Sequence, residues 1–453
     1  MITFTSLKFI LRFLVAFLFV YYLTPKKYQN VVLFLGSLCF YGMGQWQYLP
    51  LLFGLTVINY GFGRWMQHAN TLGYVSSYKK PKFIFMVTLD VTVLVLFKFL
   101  SLEVESFLFP VGISFYIFKM ISFQADCYQQ KIKEPAKFMS VAAYFTMFPQ
   151  IAQGPIMRYD DSLFTKEKKF SLLNLELGME YFIIGFGMKV LLADRLAILW
   201  NDIQKIGVDS ISAPLAWMGV YGYTFELYFD FWGYSLMAAG LGIMMGFPFV
   251  ENFRHPYGST SVSEFYRRWH ISLGTWFRDY MYFPLGGSRV EKKRGIQNLL
   301  MVWIVTGLWH GGTLNFLIWG IVLGIIIVCE KYLWKEFMAN HSFLGRFLVL
   351  FVIPLTWLVF AVSDLSQLGV YFTKLIDFSG DNTWSDFAKY IRLYGIYYIV
   401  GAVLLIPAVG EGILQQREGS KKALRVSLLF IVFLISMYYS AISSGNPFLY
   451  YSF

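Results

Sequence analysis

An all-α, polytopic integral membrane protein is what this sequence predicts. Hydrophobic residues make up 57% of its 453 positions and charged residues only 14%, where soluble chains carry nearer a quarter charged. Mean hydropathy is +0.54. The apolar residues come in long uninterrupted runs, such as FIFMVTLDVTVLVLFKFL (83–100), FLVLFVIPLTWLVFAV (347–362), YGIYYIVGAVLLIPAV (394–409) and VSLLFIVFLISMYYSAI (426–442). Each approaches the roughly 20 residues that a helix needs to cross a hydrocarbon core of about 30 Å. The runs do not alternate with period two, which argues against a membrane barrel. The count of such runs predicts about eleven to thirteen membrane-embedded helices, re-entrant segments included.

Taken in order, the chain opens on ILRFLVAFLFVYYL (10–23). This run has basic residues before and within it but no small-residue cleavage site, and more apolar sequence follows. It reads as an anchor rather than a removable leader. Basic residues then cluster between the apolar runs, at Lys26–Lys27, Arg64–Lys82, Lys131–Lys137, Arg158–Lys169, Arg254–Arg294, Lys331–Arg346 and Arg417–Arg425. The positive-inside rule places these loops in the cytoplasm. SLEVES (101–106) and FSGDNTWSD (378–386) are poorer in Lys and Arg and fall outside, and so do the N-terminus and the tail SSGNPFLYYSF. The net charge of +11 is accounted for in this way, and no basic stripe or stacking platform points to nucleic acid. No internal repeat favours an inverted-repeat transporter. One integral domain over residues 1–453 is the expectation, with 251–312 as its catalytic core and 444–453 as an extracytoplasmic tail.

Residues 251–295 break the apolar pattern. The stretch is polar, aromatic and basic. Ser263 followed by Glu264 predicts a helix start. So many aromatics in a loop of this length predict a segment folded into the membrane face, lining a cavity. The next arm, Ile296 to Trp309, has 14 residues. As a helix it covers about 21 Å, short of the full core, so the Gly311–Gly312 turn and His310 before it are expected inside the membrane.

Of the five histidines, His68 and His341 sit in polar loops, whereas His270 and His310 are set among aromatic and apolar residues. A core histidine held by its neighbours is the bland reading. An ionisable residue at membrane depth more often serves function. Burial keeps an imidazole neutral, and a neutral imidazole can take a proton from a hydroxyl as a general base. Arg267 and Arg268 flank His270; guanidinium forks suit phosphate oxygens, and positive-inside anchoring explains them equally well. Asp90 and Lys98 share one apolar run, and Glu226 and Asp230 another; packing partners for them are preferred over a transport pathway. Metal ligation is weakly signalled, with no HExxH and no third ligand at metal spacing. The nucleophile elbow GxSxG is absent. Cys39, Cys127 and Cys329 form no CxxC and no disulfide framework, and read as small buried hydrophobes.

The stretch ENFRHPYGSTSVSEFYRRWHISLGTWFRDYMYFPLGGSR (251–289), followed by TGLWHGGTLNFLIWG (306–320), closely resembles the membrane-bound O-acyltransferase family. It is most similar to the bacterial alginate and polysaccharide O-acetyltransferase branch. PVGISFYIFKMISFQADCY (110–128), FPQIAQGPIMRY (148–159) and YFDFWGYSLMAAGLGIMMGFPFVENF (228–253) agree, so the resemblance runs from about residue 80 to the end. It implies a many-helix fold with a central tunnel, His310 at its narrow centre as the catalytic residue, and His270 as a second functional position on the cytoplasmic side. Arg267, Arg268 and Arg278 are then candidates for donor binding, and Trp269, Trp309 and Asp279 for the tunnel wall. Trp232 and Leu236 depart from the FDFSGYSDM usual in the acetyltransferase branch, and Leu236 resembles the D-alanine-exporting branch. FLYYSF (448–453) resembles a C-terminal FxYxxF pattern whose tyrosine carries the acyl group, here Tyr450; an interfacial aromatic anchor is the alternative reading.

The resemblance therefore implies a bacterial plasma-membrane O-acetyltransferase. It would bind no permanent cofactor. It would take acetyl from cytoplasmic acetyl-CoA and serve an extracellular polysaccharide through a separate SGNH-like extracytoplasmic partner, amid membrane lipids. Two alternatives stand beside it: D-alanyl transfer from a carrier protein to teichoic acid, and a transporter or flippase for a lipid-linked sugar.

Overall fold

The structure is a computed structural model that describes residues 3–104, 107–151, 153–160, 163–164, 168, 170–379, 384–415 and 420–442. The described residues form helices and connecting turns, with no strand among them. This matches the all-α class expected from the long apolar runs. Five described helices are long and apolar enough to cross a membrane: Ser76–Glu103, Leu314–Tyr332, Ser342–Ala361, Ser385–Leu405 and Lys421–Ile442. They contain the runs 83–100 and 426–442 and most of the runs 347–362 and 394–409. Their large exposed side chains, among them Phe85, Ile399, Phe430 and Leu434, suit a lipid environment, where an apolar exterior costs nothing. The described residues divide into two compact units.

The first unit holds the described residues up to Ile183 together with Tyr234–Val250. Its centre is the Ile113–Tyr128 helix, buried from Ile113 to Cys127. Gly112 starts this helix at φ +73°, and a Cβ there would lie 1.8 Å from the Ile151 carbonyl oxygen, so only glycine fits. Buried polar groups find one another as a low-dielectric interior demands. Asn59 Nδ2 donates to Asp90 Oδ1 at 3.0 Å, and Gln124 Nε2 donates to the Asn59 carbonyl at 2.6 Å. Asp90 is thus held by a neutral side-chain amide, where the sequence favoured backbone or basic groups as its packing partners.

The second unit holds Ile184–Gly233 and Glu251–Tyr439. In it Lys189 reaches two carboxylates, Asp230 Oδ1 at 2.5 Å and Asp194 Oδ1 at 2.7 Å. All three are buried, and so is Glu226 one turn before Asp230. A buried lysine between two carboxylates is how these charges are tolerated.

A helical hairpin, Lys292–His310 and Leu314–Tyr332, dominates the site side of this unit. The first arm is longer than the 14 apolar residues predicted, because Lys292–Gly295 joins the helix; its 19 residues cover about 28 Å. Small residues let the two backbones touch. A Cβ on Gly307 would lie 2.5 Å from the Phe316 carbonyl oxygen, and one on Gly320 would lie 2.5 Å from that of Trp303. At the bend, a Cβ on Gly311 would sit 2.2 Å from the Phe316 ring. Asn315 ties the hairpin to the helix Ile353–Ala361, with Nδ2 donating at 3.1 Å to the carbonyls of Val359 and Phe360.

Candidate active site

His310 is the last residue of the Lys292–His310 helix. Its ring is 6% exposed and stands edge-on among Trp309, Trp319 and Phe360, with centroids 4.6, 5.1 and 5.2 Å away. Rings packed this way fix the imidazole plane and keep water from its faces.

His270 reaches the site by another route. The short helix Val262–Arg268 begins at Ser261, whose side chain accepts from Glu264 N at 3.0 Å. Glu264 Oε2 in turn accepts from Thr260 N at 2.8 Å. This is a capping arrangement with Ser and Glu three apart, so the helix starts two residues earlier than Ser263 predicted. Ser263 has another task. Its backbone N–H and hydroxyl donate to Glu330 Oε2 at 2.7 and 2.6 Å, and Val262 N donates to Oε1 at 2.7 Å. A carboxylate from the neighbouring hairpin therefore sits on the positive end of the helix.

After Arg268 the chain turns sharply. His270 takes a left-handed conformation, φ 45° and ψ 54°, before the helix Ile271–Phe277. This region is uncommon for non-glycine residues, and Asn252 holds it. Ile271 N donates to the Asn252 carbonyl at 2.9 Å. Asn252 Oδ1 meets His270 Nδ1 at 3.0 Å, Ser272 Oγ at 2.9 Å and Ser272 N at 3.3 Å. His270 lies outside the five candidate spans. It is 2% exposed, and burial pushes its ring down to about 3, so the imidazole is neutral.

The two histidines, 40 residues apart in sequence, line one cavity of about 440 Å³. Tyr266, Trp269, Trp303 and Trp319 supply aromatic wall, and Arg267 and Arg278 supply positive charge. Of the residues expected at the site, Trp269, His270, His310, Arg267 and Arg278 are brought together here. Arg268 does not line this cavity and pairs with Glu264 at 2.6 Å. Arg278 pairs with Asp279, Nε to Oδ1 at 2.8 Å. Asp279 and Trp309 do not line this cavity; each is next in sequence to a residue that does, and Trp309 packs on the His310 ring. Arg267 is exposed and has no carboxylate within ion-pair distance among the described residues. Tyr450 lies outside the described residues. Among the described residues no cluster of three or more His, Cys, Asp or Glu could hold a metal.

Sequence reasoning missed several contributors. Asn252 and Glu330 act from 18 and 67–68 residues away, and no local pattern marks them. His255 is a second buried histidine in the left-handed region, at φ 46°, with its ring against Trp232 at 5.7 Å. Tyr282, on the cavity wall, accepts from Lys331 Nζ at 3.1 Å, which adds a cation near the arginines.

Two buried histidines thus line one aromatic-walled cavity, in a chain with five described helices long and apolar enough to cross a membrane. The family's sequence profile, described as the membrane-bound O-acyltransferase family, matches residues 59–362. The chain is 32% identical to a probable alginate O-acetylase of Azotobacter vinelandii, over 99% of this chain and 100% of that one. It is 34% identical to a protein of the same description from Pseudomonas syringae pv. tomato, over 83% of this chain and 75% of that one. A peptidoglycan O-acetyltransferase of Helicobacter pylori is 30% identical over 78% of this chain and 75% of its own length. The chain belongs to the membrane-bound O-acyltransferase family. It is a multi-pass membrane acyltransferase.

Proposed function

We propose that this protein is a bacterial plasma-membrane O-acetyltransferase that moves acetyl from cytoplasmic acetyl-CoA towards an extracellular polysaccharide. The observation that carries the reading is the shared cavity: His310 and His270 line one half-open, largely apolar volume with Arg267 beside them. Relatives described as alginate O-acetylase and peptidoglycan O-acetyltransferase support acetyl as the group and a cell-envelope polysaccharide as its destination.

In this reading the donor's phosphates meet Arg267, Arg278 and Lys331, and its thioester lies in the aromatic cavity. His310 is the general base. It takes the proton of an acceptor hydroxyl as that oxygen attacks the thioester carbonyl. The C–O bond forms, the C–S bond breaks, and the departing sulfur leaves with the proton returned from the imidazolium. An acceptor tyrosine at position 450 would take the acetyl as a phenolic ester. A separate extracytoplasmic SGNH-like transferase would pass it on. Both termini then lie on the outer face.

The test uses purified protein in liposomes with isotope-labelled acetyl-CoA, comparing wild type with His310→Ala. Loss of transfer by about 10²–10⁴-fold at unchanged protein yield is the expected result for a general base. Transfer at the wild-type rate in the variant would sink the assignment. Labelling from a D-alanyl carrier protein and not from acetyl-CoA would overturn the donor, and sugar-lipid flux independent of His310 would overturn the chemistry. Mass spectrometry of the C-terminal peptide tests Tyr450 directly: an acetyl ester absent from His310→Ala supports the relay, and an unlabelled peptide beside labelled acceptor excludes it.

A further inference from the structure

We propose that Asn252 is a positioning residue which locks His270 in its Nδ1–H tautomer, leaving Nε2 as a hydrogen-bond acceptor for a neutral N–H or O–H group of a reactant in the cavity. The inference deepens the proposed acyl transfer and rests on it for the identity of the reactants.

The tautomer follows from counting donors. Asn252 Oδ1 meets three groups: Ser272 N at 3.3 Å, Ser272 Oγ at 2.9 Å and His270 Nδ1 at 3.0 Å. A backbone N–H can only donate, so the amide atom facing Ser272 is the oxygen. An oxygen can only accept, so His270 Nδ1 carries the proton. In a neutral imidazole the other nitrogen is then a bare lone pair. The ring is neutral, because burial drives its pKa down to about 3. Nε2 is buried and has no hydrogen-bond partner among the described residues, and His270 is one of the residues around the cavity. A buried acceptor left open is unfavourable unless something donates to it.

The remaining contacts show that the placement is held on every side. The Asn252 backbone takes Ile271 N at 2.9 Å, Arg254 N donates to the Arg268 carbonyl at 3.0 Å, and the edge of the His270 ring meets Phe231 at 4.6 Å. The left-handed backbone at His270 is strain that this bracing offsets. The titratable groups sharing the cavity lining are Tyr266, Arg267, Arg278, Tyr282 and His310, with no carboxylate among them. The lining residues around His270 thus bring cations and hydroxyls and no carboxylate that would keep it protonated. A lone pair repels phosphate oxygens. Phosphate recognition thus belongs to the arginines, and His270 reads an uncharged part of the reactants.

Two experiments test this. In the first, kcat/KM for acetyl transfer is measured against pH in wild type, Asn252→Ala and Asn252→Asp. Asn252→Ala should lose about tenfold or more at every pH, since the ring is free to take either tautomer. A carboxylate at 252 still accepts all three bonds but stabilises the imidazolium. Asn252→Asp should therefore retain at least about a tenth of wild-type transfer at high pH, with its acid limb displaced upward by about a unit or more. Equal losses in both variants with an unmoved limb would mean a purely structural asparagine and overturn the proposal. The second measurement needs no activity. Nitrogen-15 NMR of histidine-labelled wild type, with His270 assigned by its loss in His270→Gln, should show a protonated Nδ1 and a bare Nε2. The opposite pattern overturns the proposal even if the variants do not fold. If wild type transfers acetyl from no donor while the tautomer is as stated, the functional reading fails and the positioning role of Asn252 stands.

Discussion

Adding one methyl group at Gly320 should disable the enzyme without unfolding it. A Cβ there would lie 2.5 Å from the Trp303 carbonyl oxygen and 3.2 Å from the Gly307 Cα. Both neighbours are backbone and cannot swing aside. Ordinary contact begins near 3.4 Å, so the two arms of the hairpin must part by about 0.9 Å (3.4 less 2.5) at their crossing. Overpacking of this kind costs about 1–3 kcal/mol. His310 lies three residues beyond Gly307 on one arm, and Trp319, which packs on His310 at 5.1 Å, precedes Gly320 on the other. The displacement thus falls on His310, the proposed base, and on its wall together. A misplacement of about 1 Å costs about 10²-fold in rate. Gly320→Ala should lower kcat for acetyl transfer by about 10–100-fold in liposomes, with yield and monodispersity in detergent retained. Gly369→Ala is the control, because a Cβ at Gly369 meets nothing within 4 Å. If Gly320→Ala transfers acetyl within about twofold of Gly369→Ala, the close crossing does not position His310.

Other outcomes follow from the same geometry. Glu330→Ala removes the acceptor for Val262 N and for the Ser263 N–H and hydroxyl; it should lower thermal stability by about 2–3 kcal/mol and reduce transfer, whereas Glu330→Gln should recover part of both. Lys189→Met leaves Asp194 and Asp230 buried without their shared cation; a loss of about 3–5 kcal/mol should appear as poor recovery of folded protein by size-exclusion chromatography. The low ring pKa of His270 also predicts a pH effect on stability. Between about 3 and the ordinary value of 6.5 the unfolded imidazole binds a proton and the native one does not, so acid favours unfolding by up to about 1.4 kcal/mol per pH unit. The thermal midpoint in detergent should therefore fall more steeply below pH 6.5 in wild type than in His270→Gln; parallel slopes would contradict a neutral buried ring.

Local features of the site were legible in the sequence, and long-range ones were not. The apolar arm before His310 and the glycines after it mark a helix end, and the structure ends the helix there. The charges of Asp90 and Asp230 were expected to be packing partners, and Asn59 and Lys189 hold them. That His270 and His310 share a cavity is beyond the reach of periodicity, because two motifs 40 residues apart have no common helical face; only the resemblance of both motifs to one family joined them. The helix start slipped from Ser261 to Ser263 because both serines precede the apolar run, and only the three-residue spacing to Glu264 separates them. Asn252 and Glu330 escaped for a related reason: a polar residue that anchors a distant turn looks in sequence like any solvated one.

The Glu330 link also orders events during synthesis. A seven-residue helix is too short to persist alone in water. The carboxylate that seats Val262–Arg268 emerges from the ribosome 68 residues after Val262, or roughly 3–14 s at bacterial and eukaryotic translation rates of about 5–20 residues per second. Until the hairpin carrying Glu330 has been made, the helix that precedes His270 lacks the carboxylate that caps it. The turn that carries His270 is therefore braced from Asn252 first, and the helix before it is capped only once residue 330 has been made.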